Sequence, residues 1–240
     1  MAITVTVVTV VRNGKGTIES TINSVRSQSY KTIEHLVIDG MSDDGSVEII
    51  QKYDKLRLLS EADEGIYDAM NKGIRESSGD YVLFMNCGDV FYDESSLQKL
   101  VNAIDVDDVK IVLGGWVRKS GVYQKTMQPD LIRGVFNHQA ILYSKYLHIK
   151  FGPYLNRANF IVADYEFFTR VLGGRKINTR TVSEPVAVID VFGVSLTEHN
   201  FSQKTFIDFV NGDINKFQLL IYLSLHPLYF FIKRFLRGRF

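Results

Sequence analysis

The sequence contains a single cysteine, Cys87, and almost no net charge. One cysteine excludes an internal disulfide bond, which suits a protein of a reducing cytoplasm. The 28 basic and 27 acidic side chains leave a formal net charge of +1. No overall positive field is therefore present to attract nucleic acid.

Long apolar runs are also missing. None reaches the roughly 18 residues that a membrane-spanning helix needs. The N-terminus, "MAITVTVVTVVRNG", lacks the basic start and the cleavage site of a signal peptide, and its β-branched residues indicate a strand. The chain shows no internal repeat, and its 240 residues can bury a sizeable core.

Two common nucleotide-binding motifs are absent. Gly14 and Gly16 have the spacing that begins a G-x-G-x-x-G fingerprint, but Glu19 stands where the third glycine belongs. No G-x-x-x-x-G-K-[ST] sequence occurs either. A bound nucleotide would therefore depend largely on carboxylate side chains and a hard cation such as Mg²⁺ or Mn²⁺.

The first half of the chain alternates between strand and helix patterns. Ile18, Ile22 and Val25 recur at helical spacing, as do Ile66, Met70 and Ile74. The predicted strands are Val5–Val11, "IEHLVIDG", "LRLLSEADEG" and residues 81–86. This order predicts a parallel sheet with helices on both faces.

The second half is less regular. "VKIVLGGWV" and "GVYQKTM" indicate a strand pair, "HQAILYS" another strand, and "PVAVIDVFGVS" a late strand. Between them, apolar residues at helical spacing predict a helix that carries Asp164.

Polar side chains stand at the ends of the first four predicted strands. They are Arg12 and Asn13, Asp39, Glu61 with Asp63, and Asn86 with Asp89. Open parallel sheets bind ligands at the carboxyl ends of their strands, so we expect these groups to meet at one edge.

The motifs "TVVRN", "VIDGMSDDGS", "SEADEGIYDAMNKGI" and "GDYVLFMNCGD" follow one another in this order. Together they resemble the large family of inverting GT-A-fold glycosyltransferases that build bacterial surface polysaccharides. The resemblance is strongest over residues 3–93 and continues more weakly to about residue 196. It implies a GT-A-like, Rossmann-like α/β domain over residues 1–200, with a mostly parallel sheet flanked by helices. A helical, amphipathic extension is expected over residues 201–240.

The resemblance implies transfer of a hexose with inversion. The donor would be a nucleotide-diphosphate sugar, usually UDP-linked, and the acceptor a sugar on a polyprenyl diphosphate carrier, as in O-antigen, capsule or exopolysaccharide synthesis. The family's nucleotide-sugar-binding positions correspond to Thr9, Val11, Arg12, Asn13, Asp39, Asp63, Gly65, Asn71, Asn86, Gly88 and His138.

The resemblance also assigns a metal site and a catalytic base. Residues 86–89 match the metal motif of the family, and Asp89, its one carboxylate here, would bind Mn²⁺ or Mg²⁺. Asp164 matches the base that takes the proton of the acceptor hydroxyl. His138 and Gln139 match an "HQ" element that precedes the base, with a contact to donor phosphate or to acceptor.

Each of these residues has a structural alternative. Asp39 could be a turn residue, Asp63 a solvated loop charge, and Asn71 a polar residue facing water. Asp89 could cap a helix near residues 95–104, although it lies early for that, and Asp164 could be an ordinary helix N-cap. His138 could be a structural histidine, and Cys87 is best explained as a small packing residue. His199 could reach a metal or lie on the surface.

The C-terminal segment, "FQLLIYLSLHPLYFFIKRFLRGRF", is aromatic and basic. It predicts contact with an anionic membrane surface, which would place the protein at the inner face of the plasma membrane. The alternative is packing on the domain or in a dimer. Two rival functions also fit parts of the sequence: a sugar-nucleotidyltransferase, and a non-catalytic subunit that binds nucleotide sugars.

Overall fold

The fold was analysed in a computed structural model of the 240-residue chain. It describes residues 2–104, 108–131, 134–157, 160–173 and 176–190, together with 203–205, 207, 208, 215–218 and 220. His199 and most of the C-terminal extension lie outside these residues, so the predictions for them stay predictions.

The described residues form helices and strands in the following order. They are β1 (Val5–Val11), α1 (Ile18–Arg26), β2 (Ile33–Asp39), α2 (Ser46–Ile50), β3 (Arg57–Ser60), α3 (Ile66–Glu76), β4 (Tyr81–Phe84), β5 (Val90–Phe91), α4 (Ser96–Asn102), β6 (Ile111–Ser120), β7 (Tyr123–Met127), a 3₁₀ turn (His138–Ala140), β8 (Ile141–Ser144), α5 (Tyr146–Phe151), α6 (Ala163–Leu172) and β9 (Thr179–Asp190).

The strands form one sheet in the order β3-β2-β1-β4-β8-β6-β9-β5, with β7 paired to β6. The first four strands in this order are parallel to one another, as the alternating pattern predicts. Every residue of β1 is buried, which is expected for a strand covered on both faces.

The second half adds antiparallel pairs. β8 runs antiparallel to β4 and β6, while β9 runs parallel to β6. The predicted pairing of β6 with β7 is confirmed. Three details of the prediction were wrong. β9 begins several residues before "PVAVID", and the short β5, which pairs with β9, was not predicted. The first three residues of "HQAILYS" form a 3₁₀ turn and not part of the strand.

Helix α3 buries two of its three predicted residues. Met70 and Ile74 are buried, but Ile66 is 39% exposed, and Tyr67 and Asn71 are buried as well. The register follows from how closely the helix approaches the sheet at Gly73. A Cβ atom on Gly73 would lie 2.4 Å from Cγ1 of Val8, so only glycine permits this contact.

Apolar clusters lie on both faces of the sheet. On one face, α3 and α6 cover the side chains of Val8, Leu36 and Phe84. On the other, α1 and α4 cover Val5 and Leu83. In the part of the chain that the structure describes, no helix has the length and apolarity needed to cross a bilayer.

Two buried histidines predict an acid-sensitive fold. Burial lowers the pKa of His35 on β2 and of His148 on α5 to about 4. The unfolded chain takes up these protons near the ordinary pKa of 6.5. Below that pH the unfolded state therefore binds more protons than the folded state, and stability falls until the folded histidines also titrate.

We expect the free energy of unfolding to decrease by up to about 3 kcal/mol per histidine between about pH 6.5 and about pH 4. The variant His35→Gln should lose less stability over this range, because glutamine does not titrate. Urea denaturation of both proteins at several pH values measures the difference. If the free energy of unfolding falls equally with pH in both proteins, His35 does not cause the acid sensitivity.

Candidate active site

Backbone hydrogen bonds also join the residues that follow the carboxyl ends of β3, β2 and β4 to the neighbouring strands. Gly40 N–H donates to the carbonyl of Val11, and Cys87 N–H donates to the carbonyl of Val10. Glu61 N–H donates to the carbonyl of Asp39 in the same way. The predicted polar segments therefore do meet at one edge of the sheet.

Asp39 is the last residue of β2 and is completely buried. Its Oδ2 accepts hydrogen bonds from Ser42 N–H at 3.1 Å and from the Ser60 hydroxyl at 2.7 Å. Its Oδ1 is buried without a hydrogen-bond partner. A buried acceptor of this kind is costly unless a ligand or a water molecule completes it, so a ligand-binding role for Asp39 stays a prediction.

Asp63 and Arg12 lie beside the residue that follows Asp39. A Cβ atom on Gly40 would stand 2.2 Å from Oδ2 of Asp63 and 3.5 Å from Cβ of Arg12. The other oxygen of Asp63 accepts a hydrogen bond from Gly65 N–H at 3.0 Å, at the start of α3. These predicted residues therefore surround one point at the end of β2.

The loops after β1 and β2 are fastened to each other. Asn13, with a positive φ of 53°, receives Asp43 N–H on its side-chain oxygen and donates its own N–H to the Ser42 hydroxyl. Asp44 accepts from Lys15 N–H at 2.9 Å. The two loops form a rigid rim, which lowers the entropy lost when a ligand binds.

Three residues that were predicted to contact a nucleotide have side-chain partners within the protein. The Thr9 hydroxyl is paired with Nε2 of buried His35, and Val11 lies in an apolar cluster. Asn71 is not solvated, because both ends of its amide bind the backbone of Tyr154 at 2.9 Å. Their contacts with a nucleotide stay predictions.

The segment after β4 is folded tightly against α1. Gly88 has a φ of 97° and donates its N–H to the Thr21 hydroxyl, which donates to the carbonyl of Asp89. The thiol of Cys87 contacts Thr17 at 3.3 Å, and burial raises its pKa, as expected of a packing residue.

Asp89 is buried, and its Oδ2 accepts a hydrogen bond from Nε2 of Gln139 at 2.5 Å. Asp89 does not cap α4, whose N-cap is Ser95. Asp93, two residues before Ser95, accepts hydrogen bonds from Ser95 N–H and from the Ser96 hydroxyl.

The donor set around Asp89 fits a hard cation. Within the described ranges, no three side chains of histidine, cysteine, aspartate or glutamate gather to hold a metal on their own. Oδ1 of Asn86 and Oε1 of Gln139 are, however, buried oxygens without hydrogen-bond partners. One carboxylate with neutral oxygens suits Mg²⁺ or Mn²⁺ that also binds diphosphate.

The 3₁₀ turn His138–Ala140 links this segment to α6. Nε2 of His138 lies 3.0 Å from Nδ2 of Asn86, and its Nδ1 lies 2.9 Å from Oδ2 of Asp164. Because an amide NH₂ group only donates, the proton of a neutral His138 is on Nδ1 and points to Asp164. His138 and Gln139 thus contact the two ends of the site.

Asp164 is the second residue of α6, and the N-cap is Val162. The alternative in which Asp164 is the N-cap is therefore wrong. Its Oδ1 accepts a hydrogen bond from the Tyr67 hydroxyl at 2.8 Å, and its side chain is 21% exposed. The carboxylate is held in place by two side chains yet remains open to a ligand.

The environment of Asp164 favours the ionised form. Burial by itself raises its pKa, but the hydrogen bond of His138, its charge when protonated, and the charge of Lys204 hold the pKa well below its ordinary range. Tyr67 and Lys204 are distant from Asp164 along the chain, so no sequence motif predicted their contribution.

The chain is similar in sequence to a known family and to several known proteins. The sequence model described as Glycosyl transferase family 2 matches residues 6–177. A PGL/p-HBAD biosynthesis glycosyltransferase of Mycobacterium bovis (strain BCG / Pasteur 1173P2) is 28% identical over 182 residues, which cover 72% of this chain and 71% of the relative. An uncharacterized glycosyltransferase of Mycobacterium tuberculosis (strain CDC 1551 / Oshkosh) is 32% identical over 203 residues, or 77% and 72% of the two chains.

Solved structures show the same fold. TarS 1–349 of S. aureus in complex with UDP superposes with a TM-score of 0.72 at 18% identity, over 93% of this chain and 71% of that one. The mannosyltransferase PcManGT from Pyrobaculum calidifontis, in complex with GDP-Man and Mn²⁺, gives 0.70 at 15% identity, over 94% and 70%. The fold class predicted from the sequence is confirmed.

Proposed function

Because the chain belongs to glycosyltransferase family 2 and has its GT-A-like fold, we propose that it transfers a hexose, with inversion, from a nucleotide-diphosphate sugar to a lipid-linked saccharide. UDP is the proposed nucleotide. The acceptor would be a sugar on a polyprenyl diphosphate, used at a membrane surface in the assembly of a surface polysaccharide.

One observation supports this reaction more than any other. The turn at His138 and Gln139 joins Asp89, at the proposed metal, to Asp164, the proposed base. Inverting transfer requires the leaving diphosphate and the attacking hydroxyl on opposite sides of one sugar carbon. A rigid element that contacts the residues for both sides keeps them at a fixed separation.

The donor end is assigned to residues at the strand ends. Asp39 would accept a hydrogen bond from the nucleoside through its partnerless Oδ1, beside Arg12 and Asp63. Asp89, with the oxygens of Asn86 and Gln139, would hold a divalent cation. When bound, such a cation neutralises the charge that develops on the leaving diphosphate.

The acceptor end is assigned to Asp164. Its carboxylate would accept the proton of the acceptor hydroxyl as that oxygen attacks the anomeric carbon and the bond to the diphosphate breaks. Tyr67 and His138 direct its two oxygens. The hydrogen bonds that lower its pKa also weaken it as a base, so exclusion of water on substrate binding must restore its strength.

The direct test is a panel of nucleotide sugars, with and without Mn²⁺, against a synthetic lipid diphosphate that carries a sugar. We expect one donor to give metal-stimulated transfer, with the opposite anomeric configuration in the product by NMR. Release of pyrophosphate from UTP and a sugar phosphate would instead favour the nucleotidyltransferase. Binding of a UDP-sugar without transfer or hydrolysis would favour the non-catalytic subunit.

A further inference from the structure

The first turn of the C-terminal extension packs against the start of α6. Oε1 of Gln203 accepts a hydrogen bond from Ile161 N–H at 3.0 Å. Ile207 is buried in a small cluster with Val162. These contacts lie immediately before Asp164 along the chain, so the extension begins as part of the wall of the proposed acceptor site.

Lys204 lies on this turn, and its ammonium group contacts the residue that follows the base. Its Nζ lies 4.7 Å from the centroid of the ring of Tyr165, the residue next to Asp164. The Tyr165 hydroxyl donates to Asp208 at 2.6 Å, which ties the ring to the same turn. Among the described residues, Lys204 forms no ion pair with a carboxylate.

The positive charge of Lys204 weakens Asp164 as a base. A positive charge near Asp164 stabilises the carboxylate form and so makes it a weaker base. Burial raises the pKa of Asp164, His138 lowers it, and the charge of Lys204 lowers it further. The ring of Tyr165 does not need a cation as a packing partner, because the ring of Phe136 stacks on it with the two centroids 5.4 Å apart. A lysine here is best explained if the substrate supplies an anion that neutralises it.

We propose that Lys204 binds the phosphate or diphosphate of the acceptor while the acceptor hydroxyl lies at Asp164. An ammonium group paired with phosphate has a much weaker field at Asp164, so the correct acceptor would restore the base on binding. This inference rests on the proposed role of Asp164, and it assigns the anionic part of the acceptor to one residue.

The test compares two acceptors that carry the same sugar, one on a lipid diphosphate and one on an uncharged alkyl chain. Both are supplied in neutral detergent micelles, so that no anionic lipid head group is present. For Lys204→Met, we expect KM for the diphosphate acceptor to rise about tenfold, the loss of one charge-assisted contact. KM for the uncharged acceptor and Kd for the donor should not change.

The variant Lys204→Arg should retain most of the affinity for the diphosphate acceptor. Lys150→Met is the matched control, because Lys150 Nζ lies 5.5 Å from the ring of Phe151 on α5 in a similar arrangement. It should affect neither acceptor. An equal loss with both acceptors for Lys204→Met, or no loss, would overturn the proposal.

A second measurement needs no variant. With wild-type protein, increasing ionic strength should raise KM for the diphosphate acceptor and leave that for the uncharged one unchanged. Equal salt dependence would also overturn the proposal. Failure of the wider function gives a different result, namely no transfer by wild-type protein to either acceptor.

Discussion

The variant Asp164→Asn is expected to lower the transfer rate by about a hundredfold to ten-thousandfold, the usual contribution of a general base. Asparagine has the same shape but cannot take the proton of the acceptor hydroxyl. Its oxygen can still accept the hydrogen bond of Tyr67, while its NH₂ group loses the hydrogen bond from Nδ1–H of His138. The apolar packing of Phe167 and Phe168 should keep α6 in place. Single-turnover transfer assays with the donor found in the panel give the rate.

Donor binding separates a chemical defect from a structural one. The donor contacts the strand ends in our proposal, so its Kd in Asp164→Asn should stay within about twofold of wild type by calorimetric titration. Glu166→Gln is the matched control, since Glu166 lies on the same helix but binds Arg170 at 2.7 Å. Near-normal turnover in Asp164→Asn would remove Asp164 from the reaction.

The variant Asp89→Asn is expected to remove most of the metal-stimulated transfer, about a hundredfold to a thousandfold. Asparagine can keep the hydrogen bond from Gln139 through its oxygen, but it loses the only carboxylate of the segment after β4. Binding of UDP in the presence of Mn²⁺ should weaken. Binding of uridine, which has no diphosphate, should be unaffected.

A nearby carboxylate provides the control for Asp89. Asp93 lies just before α4 and binds Lys99. Burial raises its pKa, but its hydrogen bonds with Lys99, Ser95 and Ser96 lower it to about 2. Asp93→Asn should therefore reduce stability without changing metal dependence. If Asp89→Asn retains transfer that Mn²⁺ stimulates, the metal must bind elsewhere.

Much of the sheet could be predicted because local patterns coincide with burial. The β-branched run of β1 and the apolar spacing of α1 follow directly from their buried faces. The face of α3 could not be read in the same way. Its register depends on the contact between Gly73 and Val8, residues that are far apart along the chain.

The same difference applies to the site. Asp39, Asp63 and Asp89 could be found because strand ends are visible in the sequence and meet at one edge. Asn71 appeared to be a ligand-binding or solvated residue, yet it holds the backbone of Tyr154. The sequence carries no signal for that contact, because its partner lies on a loop whose path is set by tertiary packing.

By itself, the sequence determined the alternating strands and helices of the first half, the family, and the acidic residues at the strand ends. Periodicity and short motifs are properties of neighbouring residues, so the chain displays them before it folds. Only the tertiary structure decided that His138 and Gln139 join Asp89 to Asp164, and that Tyr67 and Lys204 surround the base. Those contacts join segments that are distant along the chain, and the closure of the sheet and the packing of α6 bring them together.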